Sequence, residues 1–212
     1  MCTRYELTTD FEKLPSVLKK NLPQGFEDNY SHQELIRPTD PVLVLKNEGK
    51  TSTSLMLWGF ISEWVKDPFD PSRPKPFNAR AETVGEKKLF RGSWRHKRCL
   101  LPASGFFEKG HRISRKDSQP FWLAGIWNRW MNSEGSELET CCVLTTEPNE
   151  LVRPFHNRMP VIISNELAEE WIAPVKDGPE LKALESLLGG WSPDEWIAEP
   201  INKLTPSQIR LF

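Results

Sequence analysis

The chain has 212 residues, of which 38% are hydrophobic and 27% are charged, a composition typical of a globular protein. No apolar run reaches the roughly 20 residues that a membrane-spanning helix needs, which argues against a membrane partner. The polar start of the chain, with Arg4, Glu6, Asp10 and Glu12, differs from a signal peptide. We therefore expect a cytoplasmic location.

The net charge of −1 conceals an uneven distribution. Residues 73–115 contain twelve Lys or Arg and three acidic residues, whereas residues 164–212 contain nine acidic and four basic residues. A cationic face of this kind suits a nucleic-acid partner. The alternative is a set of scattered, solvated basic side chains.

The four cysteines, Cys2, Cys99, Cys141 and Cys142, have no Cys-x-x-Cys spacing and no histidine pair nearby, so we expect no metal site. Cys141 and Cys142 would point to opposite faces of a strand. With Cys99 they are interpreted as buried thiols of a reducing compartment.

Hydrophobic periodicity and turn-forming residues predict the elements of the first half of the chain. These are a short helix over 9–20 that contains or is broken by Pro15, an irregular segment over 24–40, a hairpin of strands 41–45 and 53–60, an extended proline-rich loop over 68–76, and a helix over 83–90.

The second half is predicted to be richer in strands. Its elements are a strand over 98–108 broken at Pro102, a hairpin over 109–118, strands over 120–127, 138–145 and 161–163, helices over 165–173 and 178–188, and a proline-punctuated tail. Without an internal repeat or a low-complexity linker, residues 1–212 are predicted to form one β-rich α+β domain.

Cys2 becomes the amino-terminal residue if Met1 is removed. Its α-amine and thiol then form a 1,2-aminothiol, which condenses with an aldehyde to an imine and closes to a thiazolidine. Ordinary pKa values of about 7.7–8.0 and about 8.5 leave some of each group deprotonated near neutrality. The alternative is an inert residue at a frayed terminus.

Three polar residues beside apolar segments are candidates for chemistry. In an extended segment, Asn78 and Arg80 would share a face and hold a carbonyl oxygen and a phosphate; in a helix start, Asn78 would be the N-cap. Glu108 follows two phenylalanines, which should raise its pKa. The alternative for Glu108 is a solvated strand end paired with Lys109.

His156 lies between Pro154 and Pro160 and carries an exchangeable proton near neutral pH, although a structural role is also open. Trp58 is expected in the core. Trp64 marks the change from strand to polar loop, where it would either stack on a nucleobase or pack in the core.

Five motifs, in order, resemble those of the SRAP family (SOS response-associated peptidase domain). They are Met-Cys-Thr-Arg-Tyr at 1–5, Asn-Ala-Arg-Ala-Glu-Thr at 78–83, Arg-Cys-Leu-Leu-Pro-Ala-Ser-Gly-Phe-Phe-Glu at 98–108, Thr-Thr-Glu-Pro-Asn at 145–149 and His-Asn-Arg-Met-Pro at 156–160. Thr3 stands where the family usually has glycine, and Leu-Ile-Arg-Pro at 35–38 replaces its Asn-x-x-Pro motif.

This resemblance implies a barrel-like antiparallel sheet core with peripheral helices. It also implies a protein that crosslinks to abasic sites in single-stranded DNA during the DNA damage response. We further expect a monomer without cofactor or metal that lies at the nucleoid when bound to DNA. Cys2 would be the nucleophile, freed by autoproteolytic removal of Met1.

Further roles are implied by the same resemblance. Glu108 would act as acid and base, Asn78 would orient the reacting group and His156 would relay protons. The expected DNA-binding residues are Arg4, Trp64, Arg80 and Arg158.

Two other functions stay open at this point. A cysteine or N-terminal-nucleophile peptidase would use Cys2, His156 and Glu108 in a triad-like arrangement on other proteins. A non-enzymatic single-strand binder would need only the arginines and Trp64. The basic stretch favours DNA over a peptide as the partner.

Overall fold

The computed structural model describes residues 3–176 and 178–201. Its strands are β1 (Tyr5–Leu7), β2 (Gln33–Ile36), β3 (Pro41–Asn47), β4 (Thr51–Trp58), β5 (Asn78–Arg80), β6 (Arg98–Ala103), β7 (Gly105–Glu108), β8 (His111–Arg115), β9 (Phe121–Met131), β10 (Glu137–Thr146), β11 (Met159–Pro160), β12 (Ile162–Ile163) and β13 (Trp196–Pro200).

The helices are short and lie around the sheets. The α-helices are α1 (Ser16–Lys19), α2 (Arg91–His96), α3 (Ala168–Ile172) and α4 (Gly178–Glu185). Single 3₁₀ turns span Phe11–Lys13, Glu27–Asn29, Ala81–Thr83, Asn165–Leu167, Ser186–Leu188 and Pro193–Glu195. Across the described ranges, no helix has both the length and the apolar character needed to cross a membrane.

Five strands close into a barrel, in the order β10–β4–β3–β6–β9 and back to β10. The β10–β4 pairing is parallel, and the other pairings in the ring are antiparallel. β5 and β11 pair with β10, and β12 pairs with β9. The α+β class with a barrel-like sheet core is therefore confirmed.

A second, antiparallel sheet has the order β13–β8–β7–β1–β2. The chain passes from the barrel into this sheet at Ser104, between β6 and β7. β7 and β8 form a hairpin whose two-residue turn has φ values of 41° at Lys109 and 76° at Gly110. Two successive positive φ values match the twist of the flanking strands, so this turn fixes β8 directly beside β7.

The buried core combines residues of both sheets. Tyr5 of β1 contacts Trp58 of β4 with ring centroids 5.2 Å apart, and Trp58 is fully buried, as predicted. Cys99, Cys141 and Cys142 are also fully buried, and burial raises the pKa of each thiol. The prediction of buried thiols is confirmed for these three residues.

Several predicted elements agree with the structure. The hairpin of β3 and β4, the strands β9 and β10, and the helices α3 and α4 lie where periodicity predicted them. The helix predicted over 9–20 is broken at Pro15, which caps α1.

Other predictions were wrong. The strand expected over 98–108 breaks at Ser104 and not at Pro102. Pairing of β6 with β3 is confined to Cys99 and Leu100, so Pro102 interrupts no hydrogen bond to β3. Strand β2 lies inside the segment that was predicted to be irregular, and β13 lies in the predicted tail.

The helix predicted over 83–90 is also wrong. These residues form turns, and α2 begins only at Arg91. Gly85 packs closely on Trp94, since a Cβ atom at residue 85 would lie 3.3 Å from the indole ring. The buried indole of Trp94, packed on Trp171, therefore places the helix one turn later than the propensities indicate.

Candidate active site

Glu108 ends β7, beside the strand that carries the amino-terminal motif. β1 is antiparallel to β7, and the amide of Phe107 donates to the carbonyl oxygen of Arg4 over 3.0 Å. Because antiparallel neighbours run in opposite directions, the chain before Arg4 leads toward the Glu108 end of β7. The predicted nucleophile, Cys2, lies outside the described residues.

Glu108 is a buried carboxyl group, with 6% of its surface exposed. Burial raises the pKa of Glu108 above its ordinary value, and the positive charge of Arg4, together with that of His156 when its ring is protonated, acts in the opposite direction. The predicted rise is confirmed, and the alternative of a solvated strand end is wrong. Such a carboxyl keeps its proton to higher pH than one in water and can donate it to a reacting group.

His156 is held by hydrogen bonds within its own loop. Its amide donates to the carbonyl of Val152 over 3.0 Å, and its Nδ1 accepts from the amide of Arg158 over 3.0 Å. A ring nitrogen that accepts a hydrogen bond carries no proton, so the neutral imidazole has its proton on Nε2. Nε2 is therefore the atom through which His156 can donate.

A ring contact brings this loop to the β7–β8 hairpin. Phe155 packs on His111 with centroids 4.2 Å apart and an interplanar angle of 31°. His111 is the cross-strand partner of Glu108. The residue before His156 is thus fixed against the strand pair that contains the buried carboxyl.

Asn78 and Arg80 lie in β5, which pairs in parallel with the end of β10. Strand alternation places both residues on one face, with Ala79 buried on the other. Asn78 is half-buried and Arg80 is exposed. The extended arrangement is confirmed, and the alternative in which Asn78 caps a helix is wrong.

Arg158 is anchored to the segment that follows β5. Its Nη1 and Nη2 donate to Oε1 and Oε2 of Glu82 over 2.7 and 2.8 Å, and Nη2 also donates to the carbonyl of Thr145. The Arg158 hydrogen bonds hold the pKa of Glu82 below its usual range, and the charge of Arg80 adds to this effect. Two of the predicted DNA-binding arginines therefore act on one carboxylate.

Trp64 lines a depression of about 390 Å³ beside α2. Its side chain is 56% exposed, so the core alternative is wrong. The same lining contains one acidic residue, Glu63, and five basic ones, which are Lys88, Arg91, Arg95, His96 and Lys97. We call this depression the Trp64 groove; its combination of an exposed indole and cations suits a single nucleic-acid strand.

A sequence model of the family described as SOS response associated peptidase (SRAP) matches residues 1–205. This chain belongs to the SRAP family. The motifs that carried the resemblance supply the buried carboxyl, the anchored arginine and the histidine loop described above.

Relatives of this SRAP chain carry the name abasic site processing protein. YoqW of Bacillus subtilis (strain 168) is 34% identical, over 98% of this chain and 95% of YoqW. HMCES of Xenopus tropicalis is 29% identical, over 76% of this chain and 61% of HMCES. YedK of Escherichia coli (strain K12) is 25% identical, over 85% of this chain and 83% of YedK.

The SRAP chain also shares its fold with solved structures. A crystal structure of a protein from Bacteroides thetaiotaomicron has a TM-score of 0.81 and 24% identity, over 99% of both chains. A protein from Bordetella bronchiseptica has a TM-score of 0.76 and 21% identity.

The SRAP structure divides the predicted site residues among three places. Glu108, His156 and Arg4 interact electrostatically. Arg158 is paired with Glu82, whose pKa the charge of Arg80 also lowers, and Trp64 lies in its own groove. Sequence reasoning gave Glu82 no role, although the residue stands inside the Asn-Ala-Arg-Ala-Glu-Thr motif. The sequence also did not indicate that Lys88, Arg91 and Arg95 line the groove with Trp64. Only folding brings α2 and the turn before it beside that residue.

The basic segment 73–115 does not form one cationic face. Arg98 is buried, and its guanidinium donates to backbone carbonyls at the ends of α2 and α3. Arg112 and Arg115 form ion pairs with acidic side chains. The exposed positive charge of this SRAP chain is therefore less than the sequence count indicates, and part of it lines the Trp64 groove.

Proposed function

We propose that this protein captures abasic sites in single-stranded DNA by a covalent bond to Cys2. The ring-opened abasic sugar carries an aldehyde. The Cys2 amine adds to the aldehyde carbon, water leaves to give the imine, and the thiol sulfur then adds to the imine carbon while its proton passes to nitrogen. The product is a thiazolidine that joins the protein to the sugar.

The observation that carries this proposal is the place of Glu108. A buried carboxyl of raised pKa stands at the end of β7 beside which the amino-terminal strand begins. Loss of water from the first adduct needs a proton on the departing hydroxyl, and a protonated carboxyl supplies it. His156, with its proton on Nε2, is the second donor of the cluster.

The same residues would release Met1. The Cys2 thiol attacks the Met1 carbonyl, the acyl group moves from nitrogen to sulfur, and water hydrolyses the thioester to free methionine and the aminothiol. A carboxyl that alternates between acid and base serves both halves of this reaction. The family description, which includes the word peptidase, favours such a step.

Binding of the strand would use the exposed cations and the exposed indole. Arg80 and the basic residues of the Trp64 groove would hold phosphates, and Trp64 would stack on an unpaired base. Arg158, which is paired with Glu82 and mostly buried, would contribute by holding its loop in place.

The test mixes the purified protein with a labelled oligonucleotide that carries one abasic site. An adduct stable to denaturation is expected with the native protein and should vanish with Cys2→Ala. It should also be absent with a tetrahydrofuran analogue, which lacks an aldehyde. A native-gel shift without an adduct would indicate a simple binder, and cleavage of an unrelated peptide would indicate a general peptidase. Intact mass measures the removal of Met1.

A further inference from the structure

Glu6 and Arg112 form a buried ion pair across three strands. The Glu6 side chain in β1 is 1% exposed and that of Arg112 in β8 is 18% exposed. Arg112 Nε donates to Glu6 Oε1 over 2.7 Å, and Arg112 Nη2 lies 2.5 Å from the same oxygen. The pair spans β7 above Gly105, where a Cβ atom would lie 2.9 Å from Glu6 Oε1 and 3.2 Å from Arg112 Nε.

The register of β1 is held on both faces of the strand. Its first and last residues are buried in the core and pair with β2, and Glu6 on the opposite face pairs with Arg112. β1 has three residues, and its cross-strand partners in β7 are limited to Phe106 and Gly105. A shift of one residue would turn the Glu6 carboxylate away from Arg112 and into the opposite, apolar face. An unpaired buried carboxylate is costly, so the ion pair penalises every register except the observed one.

We propose that Glu6 and Arg112 are positioning residues that set the register of the amino-terminal strand against β7. The register decides which residue of the chain before Arg4 comes opposite Glu108. Cys2 is four positions from Glu6 in the sequence, so a change of register would alter the length of chain available to bring the thiol and amine to the carboxyl. This inference rests on the proposed function for its catalytic consequence, but the register itself can be measured without DNA.

The consequence for the reaction is large because covalent capture depends on geometry. A displacement of about 1 Å between reacting groups can cost about 10²-fold in rate, and a register slip moves the chain by more than that. Arg80 and the Trp64 groove lie on other elements and should keep their DNA contacts, whereas Arg4 precedes β1 and moves with it. The expected signature is therefore a slower reaction at saturating DNA, with a much smaller change in the half-saturating concentration.

The test compares Glu6→Gln and the double variant Glu6→Leu/Arg112→Met with the native protein. Replacing a buried ion pair by apolar side chains often preserves stability, so the double variant keeps the test valid if Glu6→Gln does not fold. Both should slow adduct formation by about tenfold or more at saturating DNA. Amide exchange of Ser104 and Phe107, which donate to the carbonyls of Glu6 and Arg4, should accelerate.

The matched control is Glu139→Gln, which weakens the Lys46–Glu139 ion pair of the barrel. It should lower stability without changing the crosslinking rate below its melting transition. A folded double variant with native amide exchange, or one with faster exchange and the native crosslinking rate, overturns the inference. Absence of an adduct in the native protein would instead refute the proposed function, and amide exchange would still decide the register.

Discussion

Arg158 and Glu82 form a two-point ion pair that ties the His156 loop to the turn after β5. The distances of 2.7 and 2.8 Å join two guanidinium nitrogens to two carboxylate oxygens. Arg158 is mostly buried, and Glu82 is 42% exposed. The pair therefore holds the loop in place, and most of its solvent-exposed surface belongs to Glu82.

Glu82→Gln should slow crosslinking by about tenfold, on the scale of one charge-assisted hydrogen bond. The amide cannot accept both Arg158 donors, so the loop that presents His156 loses its anchor. Arg158→Lys should have the same effect because lysine lacks the planar two-point donor set. The measurement is the single-turnover rate of adduct formation. Glu150→Gln, an exposed change in the same loop, is the control, and an equal loss there would contradict this role of the ion pair.

Glu108 and Glu139 should make opposite contributions to the pH dependence of stability. Burial raises the pKa of Glu108 above its ordinary value of 4.5. The folded state then holds this proton more tightly than the unfolded state, so the stability it contributes is lost as pH rises through that range. Glu139 is half-buried, which favours its protonated form, but hydrogen bonds from Lys46, Ser54 and Arg129 hold its pKa below its ordinary value. Its contribution is lost as pH falls.

Urea unfolding of Glu108→Gln and Glu139→Gln at about pH 4 and about pH 7 measures this difference. Relative to the native protein, Glu108→Gln should gain stability as pH rises, and Glu139→Gln should lose it. The same sign for both variants would contradict the assignment of the raised pKa to Glu108.

The sequence predicted the barrel strands well because their apolar runs are local signals. β9 and β10 are buried along most of their length, so their composition alone marks them as strands. β1, β2 and β13 could not be predicted in the same way, because each is short and pairs with a partner distant in the chain. Tyr5 of β1 pairs with Phe106.

The individual site residues could be predicted from the sequence, but the ion pairs that hold the site together could not. The apolar neighbours of Glu108 indicated its raised pKa correctly. The ion pairs Glu82–Arg158 and Glu6–Arg112 join residues 76 and 106 positions apart. Charge patterns in the sequence contain no information on such pairings, which only the folded topology creates.

Variants in the Trp64 groove should separate the contribution of base stacking to DNA affinity from the contribution of charge. Trp64→Ala is expected to weaken binding to an unreactive tetrahydrofuran oligonucleotide by about 1–3 kcal/mol, with little change in its salt dependence. Arg91→Gln and Arg95→Gln should weaken binding and lower the slope of log affinity against log salt by about 0.7 for each lost phosphate contact. Fluorescence anisotropy over a salt series measures both quantities. Lys50→Gln, in the turn between β3 and β4, is the control, and an equal change there would show that charge acts without the groove.

Arg98 is expected to stabilise the folded protein and not to contribute to DNA binding. It is 3% exposed, and its guanidinium donates to the carbonyls of Trp94, Arg95, Trp171 and Ala173. Arg98→Met leaves these carbonyls without their donor and is expected to cost about 3–5 kcal/mol in the free energy of unfolding, as for other buried charged networks that lose one partner. Arg98→Lys should recover only part of the loss, since one ammonium group cannot reach the ends of both α2 and α3. Urea titration measures the stability. The crosslinking rate of Arg98→Lys below its unfolding transition should equal that of the native protein, and a selective loss of DNA affinity with normal stability would show that Arg98 contacts the nucleic acid.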